Sequence, residues 1–226
     1  MHEIGAAGKP PVVEVAAFDF DGTLTRRDTL LPYLRRSLGW PRFLLAVLRS
    51  SPWLAAYACR LISNHRAKAC LLQASLGGCS AAQIQRWSAD FVTHYLPRQW
   101  QEKTLARLRW HQQQGHACVI VSASPGIYLH GVGEVLRIDA VLCTELEVRD
   151  GTLTGRMATR NCHGEEKVLR LQAWLAGRGV AAESVVLHAY GDSRGDVPLL
   201  NLADYAHYQG QPWARPPSGN RPAGRA

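Results

Sequence analysis

Residues 12–25 read Val-Val-Glu-Val-Ala-Ala-Phe-Asp-Phe-Asp-Gly-Thr-Leu-Thr, an apolar, β-branched-rich run that stops abruptly in Asp19 and Asp21. Such a run has the character of a strand buried on both faces, and hence of parallel sheet. Residues two apart on a strand point to the same side, so the two carboxylates can face one small volume at the strand's carboxyl end. Like charges held together there are costly unless a cation or a chemical task keeps them in place. A helix start capped by Asp would account for one carboxylate but not for both.

Further strand-like runs lie at 116–121, 138–142, 185–190 and 205–208, with helical patterns at 127–136, at 165–176 and up to 202. Strands alternating with helices predict an α/β fold, a doubly wound parallel sheet. Residues 146–155 read as a hairpin, because Asp150-Gly151 between alternating strands favours a type I′ turn. The helical stretch between the first strand and residue 116 must then be an inserted cap. The expected division is a core of residues 12–25 and 115–210, a helical cap of 26–114, and a disordered tail of 211–226, rich in Pro, Gly and Arg.

Within the cap, Asp28 or Thr29 starts a helix that Gly39 ends. Residues 40–62 are largely apolar but carry Arg42, Arg49 and Arg60 and are interrupted by Pro52. That composition predicts two shorter helices, buried or lying in a membrane interface, in place of a membrane span. Ser80 caps a further helix with Ile84, Trp87, Phe91 and Tyr95 on one face, and residues 99–114 continue helically to Gly115.

The length of 226 residues suits one domain, or a core with a smaller insertion. Six scattered cysteines without a C-x-x-C pair predict reduced thiols. The first 11 residues show no signal-peptide pattern, so a cytoplasmic location is expected. The formal charge of +8 is segregated: residues 26–114 hold 14 Lys/Arg against 3 Asp/Glu, or +11, leaving −3 elsewhere. One module therefore meets an anionic partner, unless solvated helix faces simply carry the charge. A non-catalytic module binding an anion or nucleic acid is the alternative of another class, but no nucleic-acid-reading motif accompanies the basic residues.

Ligands of open α/β sheets sit at the carboxyl ends of the strands. Three polar groups of residues fall there: Asp19 with Asp21, Ser122, and Asp192 with Ser193 and Asp196. Hard oxygen donors suit Mg²⁺, and His/Cys spacing for zinc is absent. Gly22 permits close backbone approach, and Thr23 adds anion donors. Asp19-Phe20-Asp21-Gly22-Thr23, Ser122, Lys167 and Gly191-Asp192-Ser193-x-x-Asp196 resemble the four ordered motifs of the haloacid dehalogenase-like superfamily. The helical insertion after the first motif resembles its phosphoserine-phosphatase-like branch (subfamily IB). In one departure, Gly195 stands where the fourth motif often carries Asn.

The resemblance implies a Mg²⁺-dependent phosphomonoester hydrolase. Asp19 is then the nucleophile that forms an aspartyl-phosphate, and Asp21 the general acid and base. Mg²⁺ is held by the Asp19 carboxylate, the Asp21 backbone carbonyl and Asp192. Thr23, Ser122 and Lys167 bind phosphate, while Asp196 and Ser193 support them. Taken singly, Ser122 reads equally as a helix cap, Lys167 as a solvated helix start, and Asp196 as a cap of the helix after it.

The cap chooses the substrate. Asp28 either recognises a substrate amine or caps the first cap helix. Five cap tryptophans (Trp40, Trp53, Trp87, Trp100 and Trp110) suit either core packing or, with the arginines, an anionic lipid interface. The basic, apolar cap and the run Asn161-Cys162-His163-Gly164-Glu165-Glu166-Lys167 resemble the phosphatidylglycerophosphatase C group of this branch. That implies a phospholipid substrate and peripheral contact with the inner face of an anionic membrane. A small phosphorylated metabolite, phosphoserine or histidinol phosphate, is the alternative, and an acceptor alcohol in place of water would make the centre a phosphotransferase.

Overall fold

The computed structural model of the chain describes residues 12–214. Its main sheet has the order β3-β2-β1-β6-β7-β8. Here β1 is Val13–Phe18, β2 Ala117–Pro125, β3 Ala140–Thr144, β6 Val185–Gly191, β7 Tyr205–Tyr208 and β8 Gln211–Pro212. β1 is central, parallel to β2 on one side and to β6 on the other. Its side chains alternate between two apolar layers. Ala16 and Phe18 join Cys118, Ile120, Leu105 and Leu129 on one face, and Val15 and Ala17 join Val119, Val121, Leu171 and Leu199 on the other. Burial on both faces accounts for the uninterrupted apolar run.

Helices α4 (Glu102–Gln113) and α5 (Gly126–Leu136) pack against β2 on the first face; α6 (Glu165–Gly177) and α7 (Val197–Leu202) cover the second. The hairpin β4 (Leu146–Arg149) and β5 (Thr152–Met157) turns at Asp150 and Gly151, both at positive φ, as a type I′ turn requires. Helices α1 (Leu30–Ala58) and α2 (Asn64–Leu76) pack together, with α2 resting on β5, while α3 (Ala81–Asp90) packs on α5. In the sequence reading α4 fell in the cap; in the structure it packs on the sheet, because Leu105 and Leu108 join the apolar layer below it.

Two expectations change. Residues 40–62 do not form two short helices, because α1 turns sharply at Gly39 (φ 71°, ψ 164°) and then runs through Pro52 to Ala58. Pro52 has no N–H to donate to the Leu48 carbonyl, and the Ser51 hydroxyl donates to it instead, at 2.8 Å. The expected tail is ordered at its start: Gln209 and Gly210, at φ 51° and 76°, reverse the chain so that β8 pairs antiparallel with β7. Trp213 anchors it, its indole N–H donating to Asn201 at 3.0 Å. The rest of the tail lies outside the described residues. No helix among the described residues is long and apolar enough to cross a membrane.

Candidate active site

β1 ends at Phe18, and the chain then makes a tight turn that Gly22 allows at φ 81°. Asp19 and Asp21 are therefore not paired along a strand, as the two-residue spacing predicts. They leave the turn in different directions but line one cavity. The Asp19 backbone N–H donates to the Tyr190 carbonyl at 2.9 Å, which ties the turn to β6.

Asp19 is buried, and its Oδ1 accepts from Lys167 Nζ at 2.5 Å. The same ammonium donates to Asp196 Oδ1 at 2.6 Å. Lys167 is 2% exposed, so the sequence alternative of a solvated helix start is excluded. Burial works against its charge, but Asp19 and Asp196 outweigh it and hold the ammonium above the usual lysine range. Asp196 gives its second oxygen to the Ser193 hydroxyl at 2.7 Å and to the Ser193 N–H at 2.9 Å. It thus orients Lys167 and closes the turn before α7, and its side chain does not cap α7 itself. Burial pushes the Asp19 carboxyl up to about 7 despite the Lys167 charge.

Asp21 faces the cap. Its Oδ1 accepts from the Thr29 N–H at 2.8 Å and the Thr29 hydroxyl at 2.6 Å, and its Oδ2 accepts from the Ser124 hydroxyl. Burial and the nearby Asp28 carboxylate push its pKa up to about 6, against these hydrogen bonds. A carboxyl that changes protonation in that range can both give and take a proton near neutrality. Ser122 is buried and accepts from the Ser124 N–H at 3.1 Å, inside β2 and not at a helix start. The Thr23 hydroxyl donates to Asp192 Oδ1 at 3.3 Å, so it positions that carboxylate and does not line the cavity. Asp28 caps the first turn of α1 through Oδ1, which accepts from Leu30 N–H at 3.0 Å, while its exposed carboxylate also lines the cavity mouth.

Donor oxygens of Asp19, Asp192 and Asp196 lie within 4.8 Å of one another. Asp196 is spent on Lys167 and Ser193, which leaves Asp19 and Asp192 with free lone pairs. A Cβ at Gly22 would stand 2.1 Å from Asp192 Oδ2, so only glycine lets that carboxylate reach the turn. Five carboxylates (Asp19, Asp21, Asp28, Asp192, Asp196) line the cavity with four cationic side chains (Arg26, Arg27, Lys68, Lys167), a balance of −1. The hard oxygen donors and the uncompensated charge fit one divalent cation of the Mg²⁺ type.

Several participants were not singled out from the sequence. Ser124 stands two residues after Ser122, and strand periodicity could have pointed to it. Lys68, from α2, donates to the Ala123 carbonyl at 2.6 Å, and burial lowers its pKa. His163 fills the space beside Gly195, where a Cβ would come within 2.5 Å of its Nε2. The departure at residue 195 thus makes room for an imidazole at the cavity wall. Lys68 belongs to no local pattern that would announce it, whereas His163 stands in the run 161–167 that carried a resemblance but was given no role of its own.

The cavity above these groups measures about 830 Å³. Its floor is the carboxyl end of the sheet, and its walls are Leu30, Phe43, Val47, Leu54 and Leu71 from α1 and α2.

Residues 16–201 match the family described as haloacid dehalogenase-like hydrolase. Protein CicA of Caulobacter vibrioides (strain NA1000 / CB15N) is 34% identical over 213 residues, covering 92% of this chain and 91% of CicA. A histidinol-phosphatase of Neisseria meningitidis serogroup C (strain 8013) is 28% identical over 131 residues, 57% of this chain and 59% of that protein. A solved phosphoserine phosphatase, held as a phospho-aspartyl intermediate analogue, superimposes with a TM-score of 0.60 at 18% identity, covering 86% of this chain and 85% of that one. Built on the same core and carrying the same ordered motifs, the chain belongs to the haloacid dehalogenase-like hydrolase family.

Proposed function

We propose that the protein is a Mg²⁺-dependent phosphomonoester hydrolase that works through an aspartyl-phosphate on Asp19, with a lipid phosphate such as phosphatidylglycerophosphate as substrate. The observation that carries the lipid reading is the cavity itself, a charged floor beneath largely apolar walls. A phosphate can reach Asp19, Ser122 and Lys167 while an apolar chain lies between α1 and α2. Beyond Gly39, α1 also exposes Trp40, Leu44 and Leu48, the last 69% exposed, with Arg42 and Arg49 on the same helix. Apolar and basic side chains together suit an anionic lipid surface.

Lys167 fixes Asp19 through Oδ1, leaving Oδ2 to attack phosphorus as the ester P–O bond breaks. Asp21 gives its proton to the leaving oxygen, then takes one from the water that attacks the acyl phosphate. Inorganic phosphate departs and the Asp19 carboxylate is restored. The Ser124 hydroxyl can donate or accept, so it follows Asp21 through both protonation states. Asp19, Asp192 and the Asp21 carbonyl would hold Mg²⁺, which supplies charge neutralisation between carboxylate and phosphate.

The second reading is a small-metabolite phosphatase. It is favoured by Asp28 at the cavity mouth, a partner for a substrate amine, and by kinship with histidinol-phosphatase. Phosphate release from phosphatidylglycerophosphate in anionic vesicles, histidinol phosphate and phosphoserine, measured side by side in Mg²⁺, separates the two. The lipid reading expects the vesicle substrate to give the highest kcat/KM. It also expects Leu48→Asp to reduce sedimentation with vesicles while leaving p-nitrophenyl phosphate turnover intact. Equal turnover of free metabolites with no vesicle binding rejects it.

A further inference from the structure

On the face of the sheet that carries α4, well below the carboxyl ends, three imidazoles converge. His111 comes from α4, His116 from the turn before β2, and His188 from the middle of β6. One ring nitrogen of each lies within 4.8 Å of the other two. The ring centroids are 4.7 to 5.7 Å apart. His188 stands four residue steps before Asp192, about 13 Å at ~3.3 Å per residue.

Two ring nitrogens have partners beyond the three rings. His188 Nε2 meets Glu14 Oε2 at 2.7 Å, and His111 Nε2 meets the Tyr190 hydroxyl at 2.9 Å. Nδ1 of His111 instead faces Nδ1 of His116 at 2.8 Å. A carboxylate or hydroxyl on the far nitrogen fixes the tautomer and orientation of a metal-ligating imidazole and raises its basicity. His111 is fully buried, and its pKa is pushed down to about 4 by burial and by His188 and His116, which keeps it neutral as a ligand must be. The charge of Arg107 also bears on His111, and the Glu14 carboxylate on the opposite side of the cluster offsets it. A hydrogen bond explains why two of these rings meet. It does not account for a ring nitrogen of the third lying within 4.8 Å of both.

We propose that His111, His116 and His188 form a second, nitrogen-donor site for a divalent transition-metal ion of the Zn²⁺ type, oriented by Glu14 and Tyr190 and structural in role. Imidazole nitrogens suit such an ion, whereas the carboxylate floor suits Mg²⁺. The ion would clip α4 to β2 and β6.

The test uses the full chain, stripped of metal and dialysed against Zn²⁺ in excess Mg²⁺ so that the carboxylate site is occupied. The wild type should retain one equivalent of Zn²⁺ by mass spectrometry and melt at a higher temperature than the stripped protein. His116→Ala and His188→Gln should each lose both effects while keeping p-nitrophenyl phosphatase activity. Should those variants fail to fold, Co²⁺-loaded wild type in excess Mg²⁺ decides. The proposal expects paramagnetically shifted imidazole N–H resonances, slow to exchange at His111 and His188, without a thiolate charge-transfer band. No retained Zn²⁺, retention undiminished in the variants, or a Co²⁺ spectrum without imidazole shifts overturns the site. Loss of phosphatase activity in Asp19→Asn does not bear on it.

Discussion

The floor and the roof of the cavity are built on opposite plans. On the floor each charged side chain has a fixed partner: Lys167 has Asp19 and Asp196, Asp196 has Ser193, Asp21 has Thr29 and Ser124, and Asp192 has Thr23. In the roof the apolar side chains of α1 line a space they do not fill, and Lys68 holds only a backbone carbonyl. The two ammonium groups of the cavity make the contrast sharpest. Lys167 is held above the ordinary lysine range by its carboxylates, whereas burial draws Lys68 below it. A preorganised floor costs no rearrangement during reaction. An underfilled roof keeps its capacity for a ligand. Under the proposed function, chemistry belongs to the first and choice of substrate to the second.

The contrast breaks if changes in the floor alter selectivity or changes in the roof alter chemistry. The largest expected effect is that of Asp19→Asn, a fall in kcat of roughly 10⁴-fold or more, with loss of the phosphoryl adduct on the peptide carrying residue 19. Asp21→Asn should lower kcat on alkyl phosphates by about 10²- to 10⁴-fold. On p-nitrophenyl phosphate, whose leaving group needs no proton, the loss should be much smaller. Equal losses on both would remove Asp21 from the acid role. Lys167→Met strands Asp19 beside Asp196 and should cost about 3–5 kcal/mol in a urea titration without Mg²⁺. Lys68→Met should leave stability nearly unchanged and raise KM about tenfold, the worth of one charge-assisted contact.

The smallest effect lies outside the cavity and calibrates the others. His130 and Glu145 pair at 2.8 Å with side chains 55% and 41% exposed. The hydrogen bond raises the pKa of His130 above 6.5, so its contribution is complete below that value and is lost as pH rises through the shifted one. Glu145, held below 4.5 chiefly by the same bond, loses its contribution as pH falls through its own shifted value. The stability difference between wild type and His130→Gln should therefore be greatest between pH 4.5 and 6.5, at a few tenths of a kcal/mol. A difference that persists undiminished at pH 9 would contradict the pairing.

The fold was legible wherever one residue pattern meets one buried face. The even and odd residues of β1 divide between two apolar layers, as a doubly buried strand requires. Asp150-Gly151 announced its turn. Pro52 misled because the signal of a helix break is local, while the hydroxyl that rescues it comes from Ser51. The tail misled because a Pro- and Gly-rich composition does not reveal that Trp213 finds Asn201 and Tyr208. Asp19, Ser122, Lys167 and Asp192 were legible from their order and their places in the chain, and all four line one cavity. Lys68 was not, because it reaches the site from a helix whose sequence records only a mildly amphipathic face.

β1 leads directly into Asp19, the proposed nucleophile, yet neither of its neighbours is close in sequence. Val15 pairs with Ala117, 102 residues on, and Val13 with Val185, 172 residues on. The strand must therefore wait for about a hundred further residues before its first edge is satisfied, and for still more before the second. Pairings of such separation are slow to form and leave sticky edges exposed meanwhile. The turn at Asp19 is thus assembled late, and a nascent chain stalled before β6 would carry Asp19 without the Tyr190 carbonyl that fixes its turn.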